Sequence, residues 1–384
     1  MLSCPSTPAS IFPNLRKLRW RADGTQCAAQ FLRVALVPTL LDLDINISSP
    51  SSICFLSVLS SLGTLCPHLL IIHMRSPSAT NDLLHKISPF IVQSISQLHH
   101  LKTLLVWDLG NQGNEQLMQL RALRKLGLYL KSSSAWERRS HLRFPGFHDL
   151  YSLVIRSKRI EIRFLTNHAS TSPSTMLSHF FTILGETCDH DNLESFAVPN
   201  SPGKIHTKPD VFTPMHSCYN LTQLLINSSW NISMADEELC QLVRSWPKLQ
   251  VLEISRFVTI DDTTIPTFHG LIGLLQLCPA LTSLTLVVDT TTLDSIDLSS
   301  PGGGACSRNL KELVLSNSPI DSPLHVALIL SGLFPYLKQV DLDCWDSAPA
   351  TLPRQSQTVK KQWEEVNLAL FSFSVVKERR VEVS

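Results

Sequence analysis

Residues 244–255 read RSWPKLQVLEIS. Trp246 and Pro247 are followed by Leu249, two spacers, Leu252, one spacer and Ile254. The figure returns as FPYLKQVDL from Phe334 and as FPNLRKLRW from Phe12. Its last two apolar residues are one spacer apart, the period of a strand whose successive side chains face opposite ways. Proline pushes the residue before it out of helical geometry. Trp246-Pro247 therefore reads as the end of a helix and Leu249–Ile254 as the strand that follows.

The phrase L-x-x-L-x-L, with Ile, Val, Met or Phe admitted for Leu, starts in short form at Leu15. It recurs from Leu40, Leu69, Leu101, Leu123, Leu150, Leu193, Leu221, Leu249, Leu281, Leu310 and Leu337. Steps run from 22 to 32 residues, apart from one of 43 between Leu150 and Leu193. One such phrase means little in a leucine-rich chain, but a dozen at one period is the signature of leucine-rich repeats. Between the phrases the period changes. Glu237–Trp246 has Leu239, Leu242, Val243 and Trp246 at i, i+3, i+4 and i+7, the spacing of one helix face. Leu324–Leu333 and Met176–Leu184 behave alike.

The sequence thus predicts an α/β leucine-rich-repeat solenoid of about 12 repeats. It would be a right-handed horseshoe with a parallel sheet on the concave face and helices on the convex face. Residues 1–10 read as a lead, 11–346 as the solenoid, and 347–384 as a linker and C-terminal capping helix. Trp363, Val366 and Leu370 share one face of that helix and would cover the last repeat, whose core is open on one side. Asparagine is scarce at the third position after the last apolar residue, where Ser229, Asp289 and Trp345 stand instead. Polar Phe164–Thr175, proline-rich Ser201–Pro214 and Pro301-Gly302-Gly303-Gly304 read as loops.

Hydrophobic residues make up 43% of the 384 and charged residues 17%. Such a chain can bury a large core and is not globally disordered. A formal net charge of +1 argues against a dedicated nucleic-acid binder. Arg138-Arg139 and Lys377-Glu378-Arg379-Arg380 read as solvated surface. The ten cysteines are irregularly spaced and Met1–Ser10 has neither a basic nor an apolar signal region, so a reducing cytoplasmic or nuclear location is expected. Phe268–Val288 carries no charge and has roughly the length of a transmembrane helix of about 20 residues. Pro279 interrupts it, basic anchors are missing, and it divides into a helix-like and a strand-like half, so no membrane span is expected.

The order of several stretches resembles that of the F-box-like leucine-rich-repeat proteins of mushroom-forming fungi. They are LRKLRW from Leu15, CPHL from Cys66, LVRSWPKLQVL from Leu242, CPALTSL from Cys278, NLKELVLSNSPI from Asn309 followed by VALILSGLFPYL, and QWEEVNLALF with Trp363 and Val366. In that family an N-terminal F-box docks on a ubiquitin-ligase adaptor while the repeats hold the substrate. No F-box-like segment precedes the first phrase here. The resemblance therefore implies the substrate-recognition part of an F-box-like receptor, with the adaptor as partner only if an F-box is restored. A free-standing repeat scaffold or adaptor is the alternative.

At positions three, five and seven of each phrase, side chains would point onto the concave face. Lys17, Arg19, Asp42, Asp44 and Asn46 open the row. A partner-binding patch is expected from Ile71, His73, Arg75, Leu105, Trp107, Lys125, Tyr129 and Arg156, since exposed aromatics and arginine dominate interface hot spots. Glu253, Asp341 and Asp343 extend it with negative charge. The bound partner would be another protein held by a monomer.

No catalytic, cofactor or metal residues are expected, and the chain does not read as an enzyme. Cys188-Asp189-His190-Asp191 offers ligand types without ligand spacing. Hydrolase, zincin and dinucleotide fingerprints do not occur.

Overall fold

The computed structural model describes residues 12–22, 25–47, 53–75, 81–107, 109, 117, 120, 122–131, 159–165, 191, 193–198, 205–226, 230–255, 257–258, 260, 263–293, 296–347 and 355–383. The chain divides into two compact units, Met1–Leu193 and Glu194–Ser384. Each is mixed α/β with a parallel sheet.

In the first unit the strands are β1 (Lys17–Ala22), β2 (Asp42–Ile47), β3 (Ile71–Arg75), β4 (Thr103–Trp107), β5 (Lys125–Lys131) and β6 (Arg159–Leu165). Each pairs in parallel with the next in sequence. The second unit contributes β7 (Ser195–Val198), β8 (Ile205–Thr207), β9 (Gln223–Ile226), β10 (Trp230–Ile232), β11 (Val251–Ile254), β12 (Ser283–Thr285) and β13 (Glu312–Val314). Its main sheet runs β7-β9-β11-β12-β13, while β8 and β10 form a separate parallel pair.

Every strand with a phrase starts where the phrase puts it; Leu15, Leu18 and Trp20 of the first phrase are half-buried, and the described apolar residues of the later strand phrases go inward. Leu69, Ile72 and Met74 are fully buried, as are Leu221, Leu224 and Ile226, and Leu249, Leu252 and Ile254 are at most 1% exposed. Burying each such side chain contributes about 1.5–3 kcal/mol. The residue after the first leucine joins neighbouring phrases. The Arg16 carbonyl accepts from Leu41 and Asp42 N–H, Leu41 from Leu70 and Ile71, Leu70 from Lys102 and Thr103, and Lys102 from Arg124 and Lys125. In the second unit Glu194 accepts from Thr222 and Gln223, Thr222 from Gln250 and Val251, Gln250 from Thr282 and Ser283, and Thr282 from Lys311 and Glu312. Threonine hydroxyls reinforce two of these joints, Thr222 Oγ1 to Glu194 O at 2.8 Å and Thr282 Oγ1 to Gln250 O at 3.0 Å.

Helices α1 (Gln26–Ala35), α2 (Ile53–Ser60), α3 (Leu62–Leu65) and α4 (Asn81–Ile95) fill the connections of the first unit. The second has α5 (Asp236–Val243), α6 (Phe268–Leu277), α7 (Pro323–Leu333) and α8 (Gln355–Val383), with 3-10 turns at Pro209–Ser217 and Asp343–Ser347. Neighbours pack in pairs, α1 on α2, α2 on α4, α5 on α6 and α7 on α8. Helix starts are tied together as well. The Asp236 carboxylate accepts from Thr267 N–H at 2.6 Å and Thr267 Oγ1 at 2.7 Å, joining the start of α5 to the N-cap of α6. Phe268–Val288 resolves into α6 and β12 as the charge-free run suggested, and no helix among the described residues is long and apolar enough to cross a membrane.

The helix before the opening phrase stops at Val243, earlier than the apolar spacing predicts. Trp246 lies in the turn beyond it, fully buried, and its Nε1 donates to Met215 O at 3.2 Å. The His216 ring meets its indole edge-on, with centroids 5.8 Å apart. After β11 and β13 the chain turns through Ser255 and Ser316 at φ 47° and 46°, left-handed backbone that non-glycine residues seldom adopt. Both are buried and both follow the last apolar residue of a phrase.

Three expectations are corrected. The sixth strand is Arg159–Leu165, which takes in the first two residues of the expected Phe164–Thr175 loop; the phrase from Leu150 to Arg156 lies outside the described residues. Its seven-residue register against β5, from Lys125↔Arg159 to Lys131↔Leu165, selects the alternating RIEIRFL. Within the expected Ser201–Pro214 loop lie β8 and the start of a 3-10 turn. One asparagine does act after a strand, two residues past Leu315. Buried Asn317 accepts from Val258 N–H at 3.2 Å and donates to Val258 O at 2.8 Å. Finally, the phrase at Leu337 forms no strand. Asn367 of α8 accepts from Val340 N–H at 2.7 Å and donates to its carbonyl at 2.9 Å, so a side chain takes the bonds that another strand would need. Trp363, Val366 and Leu370 of that helix are all buried, and Trp363 Nε1 donates to Ser318 O at 3.2 Å.

Candidate partner-binding face

Because alternate strand residues enter the core, the spacers between them form the other face of each sheet. On β3, Ile72 and Met74 are buried, Ile71 and His73 are half-buried and Arg75 is exposed. Register aligns Lys17, Asp42, Ile71, Thr103 and Lys125 in one row and Arg19, Asp44, His73, Leu105 and Gly127 in the next. Charges alternate across these rows. Lys17 Nζ meets Asp42 Oδ2 at 2.5 Å, and Arg75 Nη2 reaches both Asp44 carboxylate oxygens at 2.8 and 2.9 Å. Exposed pairs of this kind are worth about 0–1 kcal/mol, too little to explain them as a stabilising device. They leave a fixed charge pattern on an accessible surface. The aspartates belong in the candidate site beside His73 and Arg75; Asp-x-Asp opposite Lys-x-Arg was the signal for them.

Partial burial holds His73 below its ordinary value of 6.5, helped by Lys125 and Arg75 and opposed by Asp44 and Asp42. A depressed histidine favours the neutral form in the fold. Its contribution is present above pH 6.5 and is lost as pH falls through the folded value. His73→Gln is therefore expected to lose less thermal stability than the parent on titration from roughly pH 8 to pH 5. Parallel losses in thermal melts of the two proteins would refute the assignment.

The aromatic-aliphatic part of the expected patch is corrected. Leu105 and Trp107 are buried, at 5% and 2% exposure. Leu105 lies over Gly127, where an added Cβ would stand 2.7 Å from Leu105 Cγ. From Leu104 to Trp107 the strand is covered on both faces. Its uninterrupted apolar run LLVW is the sequence form of such a strand. Tyr129 is opposite Trp107 in register, its side chain outside the described residues, as is all of Arg156. Lys125 is half-buried.

In the second unit the rows are Ser195-Gln223-Val251-Ser283-Glu312 and Ala197-Leu225-Glu253-Thr285-Val314. They are mostly small or neutral, with Glu253 half-buried and Glu312 exposed. Asp341 and Asp343 are not on a strand, contrary to expectation. The Asp341 carboxylate accepts from Asp343 N–H at 2.7 Å and closes a local turn.

Among the described residues no group of three or more His, Cys, Asp and Glu is placed to hold a metal ion. Cys188–His190 lies outside them. Burial pushes the Cys66 and Cys278 thiols up to about 12, so neither supplies the reactive thiolate at neutral pH. No protein-family model matches the chain, and no curated protein matches it.

Proposed function

We propose that the chain is a leucine-rich-repeat solenoid whose accessible strand face holds another protein. On the resemblance of its repeats, it is the substrate-recognition part of an F-box-like ubiquitin-ligase receptor. The observation that carries the binding reading is the ordered charge pattern of Lys17, Arg19, Asp42, Asp44, His73 and Arg75 on β1–β3, with the alternate residues of β2 and β3 buried. The twofold use of one carbonyl per phrase, at the period of the sequence, supports the repeat frame beneath it. Such a face offers complementary charge and a rigid backing, the conditions for selective protein recognition. Its binding would reside in spacers, which differ from phrase to phrase, and the role is recognition and not chemistry.

Affinity purification of the full chain from cell lysate, read by mass spectrometry, tests this proposal. A partner retained by the parent and reduced about tenfold by Arg75→Glu supports it. Equal capture by both proteins removes the face from the function. Recovery of a ligase adaptor with that partner supports the receptor role; a partner without the adaptor favours the free-standing scaffold.

A further inference from the structure

The first phrase ends the sheet of the Met1–Leu193 unit, and its outer edge is open to main chain, apolar and charged groups alike. Strand β1 pairs with β2 on one side and with no strand among the described residues on the other. The joints from β1 to β5 each seat two amides on one carbonyl, as Leu41 and Asp42 N–H sit on Arg16 O at 2.8 and 3.0 Å. The equivalent amides of the first phrase are those of Arg16 and Lys17, and neither reaches a carbonyl among the described residues. The apolar side is open too. Leu40, Leu43 and Ile45 of the second phrase are fully buried, whereas Leu15, Leu18 and Trp20 are half-buried. Phe31 of α1 meets the rings of Phe12 and Trp20 at centroid distances of 6.4 and 5.9 Å and is still 46% exposed. Lys17, Arg19 and Arg21 alternate with Leu18 and Trp20 and are exposed. Lys17 is held by Asp42. Arg19 has Asp44 opposite in register, but that carboxylate is taken by Arg75, and Arg21 has neutral Asn46 opposite. Neither arginine is in an ion pair among the described residues.

We infer that this edge takes an extended segment of a partner polypeptide as an added parallel strand. One of its carbonyls sits on the Arg16 and Lys17 amides, its acidic side chains lie by Arg19 and Arg21, and its alternate apolar side chains cover Leu18, Trp20 and Phe31. Unpaired strand edges hold extended peptides through main-chain bonds, while alternate side chains give specificity. The pattern of the occupant is written on the other edge of β1. There β2 reads Asp-Leu-Asp-Ile-Asn-Ile, and it sets Asp42 on Lys17, Leu43 beside Leu18 and Ile45 beside Trp20. The open core of a terminal repeat needs a cover, and unneutralised arginines in its row favour an acidic one. A nucleic acid offers neither peptide carbonyls nor alternating apolar groups. Main chain at the sheet edge does the holding, so the inference goes beyond recognition by the strand face.

The test uses the full chain and a fluorescent peptide in which aspartate alternates with leucine or isoleucine, read by anisotropy at low salt. Its controls are a scrambled peptide of the same composition and the alternating peptide with methylated backbone amides. The alternating peptide is expected to bind about tenfold more tightly than either. Arg19→Glu and Arg21→Glu should each lower its affinity about tenfold, and Arg19→Lys should retain it. Both positions are exposed, so unchanged thermal melts verify that the variants fold. Saturating peptide should slow hydrogen exchange at the Arg16 and Lys17 amides about tenfold. Equal binding of the scrambled or methylated peptide, indifference to the charge reversals, or unprotected Arg16 and Lys17 amides would each overturn the inference. Binding that appears only after residues 1–11 are deleted would give the edge to the chain's own lead. A concentration-dependent dimer that excludes the peptide would give it to a second copy, and either result overturns the partner. The strand face is scored by partner capture with Arg75→Glu and the edge by methylation and amide exchange, so each can fail alone.

Discussion

Trp246→Ala is expected to destabilise the protein by about 4 kcal/mol, the range for removing a fully buried large aromatic side chain. Three losses combine. A large cavity opens in the core, the edge contact with His216 disappears, and the Met215 carbonyl loses its indole donor. Trp246→Phe separates them, because it restores most of the volume and none of the hydrogen bond. It should recover more than half of the loss, leaving about 1–2 kcal/mol for the unpaired carbonyl and the smaller ring. Urea unfolding followed by circular dichroism reads both variants. A cost below about 1 kcal/mol for the alanine variant would mean that the site collapses freely and that Trp246 does not hold the phrase in place.

Asn317→Leu, which keeps the branched shape and number of heavy atoms, is expected to cost about 3 kcal/mol. The side chain satisfies both the N–H and the C=O of Val258 in a buried position, and leucine leaves both backbone groups unpaired. Each buried orphan costs about 1–3 kcal/mol. Asn317→Asp keeps an acceptor for the N–H but turns the donor facing the Val258 carbonyl into a second acceptor and adds buried charge. It should be at least as damaging at neutral pH and should recover as the carboxyl is protonated in acid. Equal stability of Asn317→Leu and the parent in urea unfolding would show that water or rearranged backbone replaces the asparagine.

Strand positions were legible in the sequence because each phrase commits three residues to the core at fixed spacing, and Leu249, Leu252 and Ile254 are all there. Two of the misplaced features have one physical root. A repeated phrase reports which residues go inward and is silent about what covers the other face. At β4 that face is closed, with Leu105 seated on Gly127, so the aromatic patch expected from Leu105, Trp107 and Tyr129 loses its exposed aliphatic and indole members. At Leu337 the phrase is intact, yet Asn367 occupies the bonds of Val340, and a contact with a distant helix is invisible to local spacing. The charge pattern was half legible. Its residues were in the row, but register sets Arg75 opposite Asn46, and only the side-chain geometry shows that it closes on Asp44.

In most described phrases the carbonyl after the first leucine accepts two amides from the following phrase, as from Glu194 through Thr222 and Gln250 to Thr282. The joint is built almost wholly of main chain, so it asks nothing of the identity of the residue that carries it; Glu, Thr, Gln and Thr serve in turn. A duplicated stretch running from one such carbonyl to the next would arrive with its own acceptor and its own pair of donors. Copying or excising whole segments would therefore leave the seams intact, whereas a cut at any other point would leave amides unmatched. Inheritance can lengthen or shorten this chain in those quanta, and the uneven steps of 22 to 32 residues between phrases show how much slack the intervening segments absorb while the seam stays constant.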